Sequence, residues 1–125
     1  MTALVASVRA VHVANAWLVV IGNGLVGVWA VLAHWRPALR TRLLWLAIAL
    51  VEAAVAVQVV LGVWMITRED REAAQFHQFY GFVALVTVGL IYSYRAQLAA
   101  HRYLLYGGGS LFLMGLAIRA MTISP

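Results

Sequence analysis

The chain has 125 residues, of which 65% are hydrophobic and 10% charged, and this excludes a soluble domain, since no fold of this size hides that much apolar surface. Its net charge of +5 comes from arginine alone, and it has no cysteine, which removes disulfides, thiolate metal sites and lipidated-cysteine anchors. No basic run is interleaved with aromatics, so a nucleic-acid partner is not expected.

Four apolar stretches follow in chain order, at about residues 13–33, 43–66, 76–94 and 103–121. Each approaches the roughly 20 residues that a helix rising about 1.5 Å per residue needs to cross a hydrocarbon core. The first has no basic start and no small-residue cleavage site before Trp35-Arg36-Pro37, so it reads as a retained helix. Pro37 marks its stop, because the residue before a proline is pushed out of the helical region. Connections of at most about nine residues make successive helices antiparallel neighbours. The expected fold is an all-α integral membrane protein: one domain over residues 1–125, an up-down bundle of four transmembrane helices.

Arg36, Arg40 and Arg42 fill the first connection and Arg95 and Arg102 the third, while Arg68-Glu69-Asp70-Arg71-Glu72 in the second is mixed in sign. Positive charge stays cytoplasmic, which puts both termini outside. Trp35, Trp45, Trp64, Tyr92 and Tyr94 stand near span ends, where aromatic belts form. Arginine used to the exclusion of lysine goes with a GC-rich genome, and the expected location is a bacterial cytoplasmic (plasma) membrane. Gly22, Gly24 and Gly27 in the first span, and Gly107 to Gly109 and Gly115 in the fourth, are expected to let backbones approach closely.

Inside such a membrane the polar groups are informative. Glu52 lies mid-span, where a charge costs about 2.5–3.5 kcal/mol or more, so it should face the bundle interior. Asn23 lies at comparable depth. The pair reads either as a neutral Glu52 hydrogen-bonded to Asn23 as interhelical glue or as a proton or substrate site.

The four histidines form two layers, His12 with His77 at the outer ends of the first and third spans and His34 with His101 at the inner side. The first and third helices of an up-down bundle are diagonal, and a diagonal histidine pair can ligate a haem iron from both faces. His12 and His34 stand 22 residues apart, about 33 Å along a helix, so the inner pair is expected at the membrane interface without a haem. His77 is followed on its face by Gly81 and Ala84, and His12 by Ala16, small residues that leave room for a flat macrocycle. Arg9, Arg68, Arg71 and Arg119 are near enough in sequence to meet propionates at that end.

The run from Gln58 to Gly62, Gln-Val-Val-Leu-Gly, followed by an outer loop and then His77, resembles one half of haem A synthase, and the chain is similar in style to cytochrome b561-type four-helix bundles. In that synthase half a histidine opens one helix, a Gln…Leu-Gly motif closes the next and a second histidine opens the third. His12, Gln58 with Gly62, and His77 match in order and rough spacing over about three of the four helices. The chain departs from it where Val13 stands in place of arginine after the first histidine, and in lacking a cysteine pair in the outer loop. The resemblance implies haem b binding, with His12 and His77 on the iron, and not haem A synthesis.

No phosphate loop, nucleophile elbow or metal-ligand spacing occurs, so no catalytic residue is assigned and an enzyme is not expected. The leading expectation is a non-catalytic accessory or assembly subunit of a larger, respiratory-type membrane complex, with lipid and other membrane subunits as partners. The alternatives are a one-haem b-type cytochrome passing electrons near the outer surface through His12 and His77, and a proton-coupled transporter using Glu52.

Overall fold

A computed structural model describes residues 2–68 and 75–123. The four apolar stretches form four helices, α1 (Thr2–Trp35), α2 (Arg42–Arg68), α3 (Gln75–Ser93) and α4 (Arg102–Ile123), with short 3-10 turns at Pro37–Leu39 and Ala99–His101. No strand occurs among the described residues. Every helix is long and apolar enough to cross a membrane. Their outer faces are apolar too: Leu25, Leu50 and Phe76 are each 70% exposed. So large an exposed apolar surface is what a membrane-spanning bundle presents to lipid.

α1 packs mainly on α4 and then on α2, while α3 packs on α4 and only lightly on α2. α1 and α3 are therefore diagonal, as an up-down bundle requires. Small residues set the spacing of the α1–α4 pair. At Gly107 an added Cβ would meet the Val31 backbone nitrogen at 2.7 Å and the Gly27 carbonyl at 3.0 Å, so the two backbones touch there. Gly109 likewise makes way for the Ile91 side chain from α3. Gly108 and Gly115, expected to do the same, meet nothing within 4 Å, because they turn away from the neighbouring helices.

The core has two parts. One, toward the arginine-rich end, joins Val26, Ala30 and Ala33 of α1 to Leu44, Ile48 and Val51 of α2 and Tyr103 of α4. The other joins Val19, Ala54, Val55, Ile91 and Leu113, one or two residues from each helix.

α1 is longer than its apolar run, starting at Thr2 instead of residue 13. Residues 2–12 contain no helix breaker, and a single Arg9 lowers hydropathy without interrupting the backbone ladder. At 34 residues the helix reaches about 51 Å, so His12 lies a third of the way along it and not at its start.

The first connection is tied down by Arg40. Its Nε donates to the Ala33 carbonyl (2.7 Å), its Nη2 donates to the His34 carbonyl (2.6 Å), and its guanidinium carbon lies 5.1 Å from the Tyr103 ring centre. These are last-turn carbonyls of α1, which no helix can satisfy internally. Trp29 Nε1 adds a bond to the Leu39 carbonyl (3.1 Å). Arg40→Ala is expected to destabilise the bundle by about 1–2 kcal/mol through loss of these charge-assisted bonds, read as an earlier thermal transition in detergent. Arg42→Ala, on an exposed neighbour, should leave it nearly unchanged.

Candidate functional site

His12 and Asn15 continue the stripe that buries Val19, Asn23, Val26 and Ala30 on α1, each three or four residues from the last, so both point into the bundle. His77, Ala84 and Ile91 recur every seven residues on α3, and the buried Ile91 with Ala84 packs in the second core cluster. The shared orientation of these two stripes brings the diagonal histidines together. The His12 and His77 ring centres are 6.3 Å apart at an interplanar angle of 65°.

His77 is held at its ring and His12 at its backbone. His77 Nδ1 lies 2.9 Å from the Ala120 carbonyl of α4; since a carbonyl only accepts, Nδ1 is the donor in this contact. Gln58 Nε2 donates to the His12 carbonyl (2.7 Å). Asn15 Nδ2 in turn donates to Gln58 Oε1 and to the Ala54 carbonyl, both at 2.9 Å. His12 Nδ1 is buried without a hydrogen-bond partner. Gly62 is the close neighbour of this ring, since a Cβ there would lie 3.4 Å from His12 Cε1, whereas a Cβ on Gly81 would meet nothing within 4 Å. Gln58→Leu removes both ends of this network and should displace His12 at a cost of about 1–3 kcal/mol, the penalty for unpaired buried polar groups. A lower thermal transition together with changed His12 NMR shifts would report it.

Arg119 is exposed on the last turns of α4. The guanidinium of Arg68 lies 5.7 Å from the Trp64 ring centre. Arg9 stands one turn before His12 and helps line an open cleft of about 610 Å³ along α1, with Val5, Ala6, Ala10 and Val13. Arg71 lies outside the described residues, as do Glu69, Asp70 and Glu72 of the same connection.

The mid-bundle polar layer differs from expectation. Asn23 is fully buried, but its amide donates to the Val19 carbonyl of its own helix (2.8 Å) and not to Glu52. A short side chain on a helix readily reaches the carbonyl one turn back, and here that local bond wins. Asn23 Oδ1, Glu52 Oε2 and Ser110 Oγ are each buried with no hydrogen-bond partner.

At the opposite end, His34 and His101 are stacked, with ring centres 5.8 Å apart at 24°, and His34 also meets Trp35 edge-on. His101 is exposed and His34 half-buried. Asn15 was missed at the sequence level, although an amide three residues after His12 within an apolar run is the signal for it.

The donor set bears on what this site can hold. Among the described residues no group of three or more His, Cys, Asp or Glu side chains could hold a metal ion. A purely protein-ligated ion is thus short of donors, whereas two imidazoles would suit a metal whose remaining positions come from a macrocycle. Ligand nitrogens about 2 Å from such a metal place the ring centres roughly 6 Å apart, which the observed pair meets. The unpartnered Nδ1 of His12 and the open space at Gly81 are compatible with such a group. No protein-family model, no curated protein and no solved structure matches this chain.

Proposed function

We propose that the chain is a multi-pass protein of a bacterial cytoplasmic membrane, with both termini outside, and that it binds one b-type haem between His12 and His77. The observation that carries this reading is the pairing of two imidazoles across the bundle diagonal, 6.3 Å apart, from helices that otherwise scarcely touch. The haem would supply a one-electron redox centre near the outer surface. The chain's own part is positional. His12 and His77 would hold the haem; the Ala120 carbonyl orients one ring, and Gln58 with Asn15 fixes the backbone that carries the other. Gly62 keeps a side chain off the His12 ring, and Arg119 and Arg9 would offer positive charge for propionates. The five arginines Arg36, Arg40, Arg42, Arg95 and Arg102 at the other end support the orientation.

The test is a dithionite-reduced minus oxidised spectrum of protein purified in mild detergent from haem-replete cells. Sharp low-spin bands in stoichiometric amount are expected. A flat spectrum from folded protein would overturn the reading.

A second reading, an accessory or assembly subunit of a larger membrane complex, is favoured by α3. It contributes Ile91 alone to the fully buried set and exposes Phe76, Phe79 and Phe82. A helix so thinly covered by its own chain suits a partner helix in lipid. Cross-linking in intact membranes should then join α3 to another subunit, and recovery only as a free monomer from mild detergent would count against it.

A further inference from the structure

At the arginine-rich end, a cleft of about 400 Å³ opens between α2, α4 and the connection from α3, lined by Trp45, Arg95, Ala99, Arg102 and Tyr106. Its walls are aromatic and its rim cationic. Trp45 and Tyr106 meet edge-on with ring centres 5.0 Å apart. The Arg102 guanidinium lies 5.5 Å from the Trp45 ring centre and 5.2 Å from that of Tyr103. Arg95 is steadied from behind, with Nη1 donating to the Tyr92 carbonyl (2.8 Å) and the guanidinium 3.6 Å above the Tyr92 ring.

The charge at this end is uncompensated. Arg36, Arg40, Arg42, Arg95 and Arg102 gather there, while the four carboxylates are Glu52 in mid-span and Glu69, Asp70 and Glu72 in the opposite connection. Arg40 is consumed by the last carbonyls of α1. Arg95 and Arg102, both exposed, each keep donors beyond those used in holding the side chain. One turn deeper on the face of Trp45, Ala49 is exposed, and Leu46 and Leu50 beside it are 56% and 70% exposed, so apolar surface runs on from the cleft toward the bundle centre. A cationic mouth over an apolar track suits an anionic head on an acyl tail, and at a membrane surface the abundant form of that chemistry is a phosphate ester.

We propose that this cleft binds the phosphate of an anionic phospholipid headgroup, held by Arg95 and Arg102 with the glycerol region against Trp45 and Tyr106. The inference rests on the membrane reading above but not on the haem. A bound lipid would bridge α2 to the α3–α4 connection, where α2 and α3 pack only lightly on each other.

The experiment is native mass spectrometry of the detergent-solubilised protein titrated with phosphatidylglycerol or with phosphatidylcholine of identical chains. Wild type is expected to retain phosphatidylglycerol at least about tenfold more strongly. The double variant Arg95→Gln/Arg102→Gln should lose that preference. Arg36→Gln/Arg42→Gln, which removes the same charge at the same end outside the cleft, should keep it. Equal retention of the two lipids by wild type would overturn the proposal, and so would an equal loss in both double variants, which would mean diffuse surface attraction. Displacement of phosphatidylglycerol by inorganic phosphate at comparable concentration would also overturn it, showing a free-anion site. The haem spectrum is measured on the same samples, so failure of either reading is seen separately.

Discussion

Gly107→Ala is expected to destabilise the bundle by about 3 kcal/mol, the upper end for one inserted methyl group. The new Cβ would lie 2.7 Å from the Val31 backbone nitrogen, 2.7 Å from Val31 Cγ2 and 3.0 Å from the Gly27 carbonyl. Two of those atoms belong to the α1 backbone, which moves only if the whole helix does. α1 and α4 form the most extensive helix pair in the molecule, so pushing them apart loosens Val26, Ala30 and Tyr103 together. The adjacent Gly108 is the control, since a Cβ there meets nothing within 4 Å. Gly108→Ala should be neutral, or stabilising by up to about 1 kcal/mol through helix propensity. Thermal unfolding of the two variants in one detergent, followed by circular dichroism, reads the difference. Similar behaviour of the pair would mean that α4 is rotated from the orientation described.

His12→Ala and His77→Ala should each cut haem content at least about a hundredfold, the upper end of what losing a supporting hydrogen bond to a ligand costs. Any haem that remains should show a high-spin spectrum, because one of its two proposed ligands is then missing. His77→Ala also leaves the Ala120 carbonyl without its present partner, so its structural cost should exceed that of His12→Ala. His34→Ala and His101→Ala test the assignment from the other side. Those rings stack on one another 5.8 Å apart at the far end of the bundle, and their loss should leave the spectrum unchanged. Spectra altered equally by all four substitutions would point to general loosening and not to ligation.

The same logic separates what was legible in the residues from what was not. The diagonal placement of His12 and His77 followed from loop lengths, because short connections force antiparallel neighbours and leave the first and third helices opposite. That the rings actually meet depends on how α1 and α3 are rotated and staggered, which the loops leave open. The glycines show the same limit. Gly107 and Gly109 are packed against neighbours and Gly108 between them is open, although all three are the same residue in one short run. Glu52 and Asn23 stood at one depth by residue count, yet the Asn23 amide turns to Val19, a choice made by a local rotamer. Arg40 read as one more interfacial arginine; its wrap around the end of α1 needs the turn at Pro37–Leu39 to bring it back.

By itself, then, the sequence determined four helices of membrane-spanning length, their breaks at Pro37 and the arginine-bearing connections, and the short list of polar residues worth following. Run length, helix breakers and charge are local properties that act whatever the neighbours do. Only the tertiary structure decided which of those residues meet: His12 with His77, His34 with His101, and Arg95 and Arg102 about Trp45. Those meetings turn on helix rotation and stagger, set where Gly27 and Gly107 bring two backbones into contact, and a turn of one residue, about 100°, would undo them.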